Sequence, residues 1–281
     1  MKKLLSGFFW VIFLLLPIKT VASIENENKL RLTGNCYDCN LESSYLFKSK
    51  LNRANLAYSN LNNSNLRKSF LRKANLIDSS LIGSDLSYAD LLNVNLSGAY
   101  LSRAKLIKAN LKNSNLSFST CLKTNFYGAK LNNALLDEAN LSQADLRKAN
   151  LSGASLSAAN INNAILYKAN LTGANLDEAN LSNSNLRKAV LSKANLSSTN
   201  LVKSNLVGAD LSSANLSFSN LSKANLSNAN LINANLNEAN LSGANLKGAN
   251  LKNTNLYAAE LKNAIMCQTL MPWGLDNSGC K

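Results

Sequence analysis

The sequence predicts an all-β solenoid built from five-residue units, preceded by a short segment of a different kind. Three observations carry this. From Leu41 to about Met266 one phrase recurs: a small residue, Asn or Asp, Leu, then two variable polar residues. Every position ending in 1 or 6 between Leu41 and Leu261 is Leu, except Cys121, Phe126 and Ile161, which are also apolar. No insertion shifts the register. Self-similarity at a short fixed period marks units that bury apolar side chains only by stacking on their neighbours.

A period of five fits neither an amphipathic helix, with its 3.6-residue spacing, nor a half-buried strand, which alternates every two. Asn, present in nearly every unit, competes for the backbone and favours turns over helix or strand interiors. What remains is a backbone that turns once per pentapeptide. Leu and the small residue two before it point inward, and the other three side chains point out.

Phrases such as Ala74-Asn75-Leu76 and Ala174-Asn175-Leu176 resemble the pentapeptide-repeat family, over about four fifths of the chain. The resemblance implies that four pentapeptides make one square coil of a right-handed quadrilateral β-helix. A coil is then 20 residues, and the tract holds about eleven of them. At roughly 4.8 Å per coil the rod would be about 50 Å long.

Residues 1–23 read differently. Lys2 and Lys3 precede an apolar stretch over 4–16 and the small residues of Thr20-Val21-Ala22-Ser23. This is the pattern of a secretory signal peptide, too short for a comfortable membrane span. An uncleaved anchor is the alternative. Export places the protein in the periplasm or the medium. The formal charge of +14 becomes +11 without Lys2, Lys3 and Lys19. Residues 24–35 are polar and are expected to be a flexible lead.

The repeat tract is assigned to 36–266 and a C-terminal cap to 267–281. Cys36-Tyr37-Asp38-Cys39 opens the tract, while Cys267 and Cys280 close it around Leu270-Met271-Pro272-Trp273-Gly274. Solenoid ends expose apolar side chains and unpaired backbone, so atypical segments must cover them. In an oxidising compartment, disulfides Cys36–Cys39 and Cys267–Cys280 would pin such caps; related pentapeptide-repeat proteins carry similar terminal cysteines. A redox C-x-x-C needs a thioredoxin-like context that is missing here. A four-thiolate zinc site would need both pairs together, and the predicted rod separates them by about 50 Å. Cys121 occupies a Leu position as a small buried residue.

With a 20-residue coil, positions 20 apart stack, and the outer surface can be read in columns. The pairs following Leu46, Leu66, Leu86 and their successors carry Lys48, Arg67, Lys68, Lys108, Arg147, Lys148, Lys168, Arg187, Lys188 and Lys247, ten bases and no acid. The column after Leu56, Leu76 and Leu96, expected opposite, carries Asp78, Asp137, Glu138, Asp177, Glu178 and Glu238 and no base. It also holds Tyr58, Phe118, Phe218 and Tyr257, read as an unusual share of the exposed aromatics. A neighbouring column is basic as well, with Arg53, Arg72, Lys73, Lys112, Lys193 and Lys252. The basic flank is either a solvated surface that keeps a flat repeat from sticking to itself or a docking strip for a polyanionic partner.

Catalytic chemistry is sparse. The chain has no His, which removes the usual general base and the Ser-His and Cys-His pairs. Asp137-Glu138 and Asp177-Glu178 lie on an outward column, without the burial that tunes a catalytic acid. No phosphate-binding glycine loop is present. No catalytic residue, cofactor, metal or small-molecule substrate is assigned. The best-known activity that the resemblance implies is DNA mimicry, in which an acidic rod occupies the DNA-binding groove of a type II topoisomerase. This chain departs from that pattern in being basic, in carrying an export signal and in lacking loops that interrupt the coils. Direct DNA binding lacks an element for a groove. The expectation is a non-catalytic, exported interaction or structural protein. Its partner would be an acidic protein or an anionic envelope component, and a rod end offers a place for two copies to meet.

Overall fold

The computed structural model describes residues 21–280, so most of the segment read as an export signal lies outside the described residues. The tract is a right-handed quadrilateral β-helix. Its register is given by a ladder of parallel bridges, each between residues 20 apart, running from Asn35↔Asn55 to Asn250↔Leu270. The predicted coil of 20 residues is the observed one.

One pentapeptide shows why the unit is five residues. In the unit Asn65 to Ser69, the Leu66 N–H donates to the Asp85 carbonyl of the next lap at 2.8 Å, and the Asn65 N–H donates back to the Ser44 carbonyl of the lap before at 2.9 Å. At the turn, Lys68 N–H donates to the Ser87 carbonyl at 3.0 Å, and Ser69 N–H closes on the Leu66 carbonyl at 3.1 Å. The fifth donor, on the residue after Leu, is taken by a side chain: Asn65 Oδ1 accepts from Arg67 N–H at 3.1 Å. The same Asx contact recurs, for example from Asn180 to Ser182 and from Asn240 to Ser242. Every backbone donor of the unit therefore has a partner, which buried backbone requires, and the recurrent Asn supplies the last of them.

After Phe70, Ser80 and Ser155, which hold the Asn position, an Asx of the preceding lap does the same work. Arg72 N–H, following Phe70, goes to Asn52 Oδ1, and Ser157 N–H, following Ser155, goes to Asp137 Oδ1. Amides also stack directly: Asn195, Asn215, Asn235 and Asn255 each donate to the Asn one lap below, at 3.0–3.1 Å.

The second variable residue of each unit stands at positive φ, 53° at Lys108 and 62° at Phe118, as the third residue of a type II turn requires. L-residues pay for this conformation, and the lap-to-lap bonds hold it in place. The two variable residues are thus turns at the corners of the square, not walls. The columns read as faces are four ridges, and the walls between them display the Asn column. The ridge following the Leu46 series lies diagonally across from that following the Leu56 series.

The bore is dry. Leu156, Leu176 and nearly all other central residues are fully buried, with Ala or Ser of the small position beside them. Cys121 and Phe126, consecutive departures from Leu, fall in one lap, where the smaller side chain offsets the larger.

Each end is closed differently. The expected flexible lead is instead a helix, α1, Val21–Thr33. Leu30 is buried against the first lap, Asn26 Nδ2 donates to the Asn40 carbonyl and Arg31 Nη2 to the Tyr45 carbonyl. The helix thereby satisfies acceptors that the first lap leaves open, and its polar sequence hid that role. Gly34 ends it at φ 67°, its N–H bonded to the Leu30 carbonyl. At the other end, strands β1 (Thr269–Met271) and β2 (Gly274–Asp276) form an antiparallel hairpin. Met271 plugs the bore and Thr269 Oγ1 donates to the Leu246 carbonyl. The cover is partial, since Leu256, Leu261 and Met266 are only partly buried. Disulfides Cys36–Cys39 and Cys267–Cys280 tie the two ends.

Two stability outcomes follow. Leu156→Arg should abolish cooperative melting, because an unpaired charge enters a fully buried apolar site, while Lys148→Ala should shift Tm by no more than about 2 °C; circular dichroism melts compare them. Ser204 Oγ is buried without a hydrogen-bond partner among the described residues, whereas Ser184 Oγ donates to the Leu181 carbonyl at 2.6 Å. Ser204→Ala should therefore stabilise by about 1 kcal/mol, a rise in Tm of ~2–4 °C, and Ser184→Ala should not.

Candidate interaction surface

The ten predicted bases lie along one corner ridge. All are exposed except Arg67, which is half-buried. The ridge is not a bare column of charge. Phe47, Tyr88, Tyr127 and Tyr167 occupy turn positions between the bases; only Tyr88 of these is exposed, so the acidic column keeps the larger share of exposed aromatics. The cations rest against these rings: Lys48 on Phe47 at 5.2 Å, Lys108 on Tyr88 at 5.8 Å and Lys168 on Tyr167 at 5.3 Å. Arg147 and Lys148 share the Tyr127 ring, each at 5.6 Å. All five cation–π contacts among the described residues are on this ridge. Each is worth about 0.5–1 kcal/mol when exposed, enough to hold long side chains in preferred positions.

Column reading passed over the charges in the Asn position, which the fold sets beside the ridges. Asp145 forks the Arg147 guanidinium at 2.6 and 2.8 Å and raises its pKa above the ordinary value. Asp85 lies 3.4 Å from Arg67, and on the neighbouring ridge Asp90 holds Arg72 at 2.5 Å. The remaining eight bases of the ridge have no ion-pair partner among the described residues. The local rule was visible, since an acid just before a Leu that precedes Arg is two residues away, as in Asp145-Leu146-Arg147.

The diagonal ridge carries the predicted acids, extended by Asp38 and Tyr37 in the first lap. Asp137 accepts from Ser155 Oγ and Ser157 N–H and so partly serves the backbone, while Asp177 accepts from Ser197 Oγ at 2.5 Å. Glu138 and Glu178 are exposed with no cation partner among the described residues. Tyr58, Phe118, Phe218 and Tyr257 are all more than half exposed, from 51% to 73%.

A family model for pentapeptide repeats matches the chain in a series of copies between residues 35 and 271. The chain belongs to the pentapeptide-repeat family. Among solved structures, HetL, involved in heterocyst differentiation regulation in the cyanobacterium Nostoc sp. strain PCC 7120, is 36% identical over 69% of this chain and 91% of its own, with a TM-score of 0.45. Rfr23 of the cyanobacterium Cyanothece 51142 is 48% identical, covering 34% of this chain and 62% of its own, with a TM-score of 0.19. QnrB1, a plasmid-mediated fluoroquinolone resistance protein, is 22% identical over 65% of this chain and 82% of its own, with a TM-score of 0.35. Membership rests on the repeat match, not on these superpositions. No match was found among curated proteins.

Cys121 is fully buried beside Ser119 Oγ, at 3.3 Å, and burial pushes its thiol pKa from 9.0 up to about 12. Since the folded value lies above the unfolded one, its contribution to stability is complete below pH 9 and is lost as pH rises toward 12. Denaturant melts between pH 8 and pH 11 should show a steeper alkaline decline for the wild type than for Cys121→Ala, tested in parallel at about the same ionic strength.

Proposed function

We propose that this protein is a non-catalytic exported rod that binds an anionic partner surface along its basic ridge. The observation supporting this is the row of exposed bases steadied by aromatic rings, eight of them without an acid partner among the described residues. A ridge that only kept the rod soluble has no need of rings to hold its cations. Like charges stacked at lap spacing repel one another, and a polyanion relieves that repulsion. The straight edge also presents its charges in a line, which suits an extended or planar anionic partner. The N-terminal sequence pattern supports export, and the two terminal disulfides suit an oxidising compartment.

Co-sedimentation with vesicles containing anionic lipid, against vesicles of neutral lipid only, tests the reading. Binding should favour the anionic vesicles, weaken steadily with salt, and fall at least about tenfold in Lys148→Glu/Arg187→Glu/Lys188→Glu, since each base is worth about 1 kcal/mol near such a surface. Equal, weak binding to both kinds of vesicle would remove the proposal.

A further inference from the structure

The acidic and basic ridges agree in the height of their charges, not only in sign. Asp137-Glu138 lies half a lap before Arg147-Lys148, and Asp177-Glu178 lies half a lap before Arg187-Lys188. In each ridge the two doublets are two laps apart, because each lap is 20 residues. Near the rod ends the same offset of about half a lap separates Asp38 from Lys48 and Glu238 from Lys247. The two ridges lie on diagonally opposite corners.

We infer that a second copy of this chain is an acidic partner of the basic ridge: rods pack side by side and parallel, the basic corner of one against the acidic corner of the next. This rests on the ridge being a docking strip and names one occupant for it. A sideways translation along the square's diagonal, with an axial shift of half a lap, or roughly 2.4 Å at sheet spacing, brings all four acid–base sets into line at once. Of the acids on that ridge only Asp78 is left out, facing Ser87 and Tyr88. Tyr58 meets Arg67 and Lys68, which suits a cation–π contact. The unmatched Lys108 and Lys168 face Gly98 and Ala158, which leave room for them. Turning one rod end for end can still align both doublets, but it pairs Asp78 with Lys247 and leaves Asp38 and Glu238 unmatched. The parallel order is therefore favoured.

Because the operation is a translation joining unlike surfaces, it does not close, and rods add one after another into a flat raft. The contact is long and narrow, so association is weak, salt-sensitive and dependent on several charge sets acting together.

Sedimentation of the full chain tests this with two outward variants. In one, Arg147, Lys148, Arg187 and Lys188 become Glu, so both ridges are acidic; in the other, Asp137, Glu138, Asp177 and Glu178 become Lys, so both are basic. Wild type at tens of micromolar in low salt should show a weight-average mass at least twice the monomer, returning to monomer at about 0.5 M salt. Each variant alone should remain monomeric, and an equimolar mixture should associate again. A wild type that stays monomeric at low salt, or variants that do not complement, would overturn the raft. Vesicle binding separates this from the broader reading: the all-basic variant should bind anionic vesicles at least as well as wild type whether or not rafts form.

Discussion

The structure depends on one constraint: each lap must come back to the same corner one sheet spacing further along after 20 residues, so that three backbone donors in each unit meet acceptors on the lap above or below. Three lap-to-lap bonds, one turn bond and one Asn side-chain bond account for the unit from Asn65 to Ser69. A single inserted residue would put Leu where a turn belongs and strand several donors at once. The unbroken register, the inward leucines and the Asn column are three consequences of that accounting. The corner residues at positive φ are its cost, carried by lysines, glutamates and aromatics as readily as by glycine. Gly is kept at corners such as Gly248, where an added Cβ would press on Asn228 Oδ1 one lap below.

A fold of this kind gives its chemistry to the corners. Walls are occupied by backbone and the amide ladder, and the bore is apolar, so the two turn residues per unit are the positions with freedom to vary. Whatever is written there is read out along a straight line. Charge written with a 20-residue period becomes a ridge, and here opposite signs fall on opposite ridges. Rings beside the cations and carboxylates in the Asn column then decide how much of that charge is free: Asp145 and Asp85 attenuate Arg147 and Arg67, while Arg187 and Lys188 stand open.

The ends obey different rules from the middle. A stacked lap leaves half its backbone groups unpaired, and the two termini meet this with unrelated devices. At the start, a polar helix places Leu30 on the bore and offers Asn26 and Arg31 to open carbonyls. At the finish, a hairpin inserts Met271, and a disulfide from Cys267 to Cys280 holds it to the last lap. Neither device repeats, so periodicity gave no access to them. The cysteines were legible as staples, yet the helix was not, because 21–33 carries one anchoring Leu and no amphipathic stripe.

What the sequence determined by itself was the period, the identity of inside and outside, and the sorting of charge at intervals of 20. Those are properties of a one-dimensional repeat, in which each residue's surroundings are set by residues at fixed offsets. Tertiary structure decided the rest. It made the variable columns corners instead of walls, because the turn bond closes across them. It set Asp145 and Asp85 against bases that column reading had counted as free, and rings against their neighbours. It also turned the residues before the tract into a lid, because the open edge of a first lap is a surface that exists only once the coil has closed.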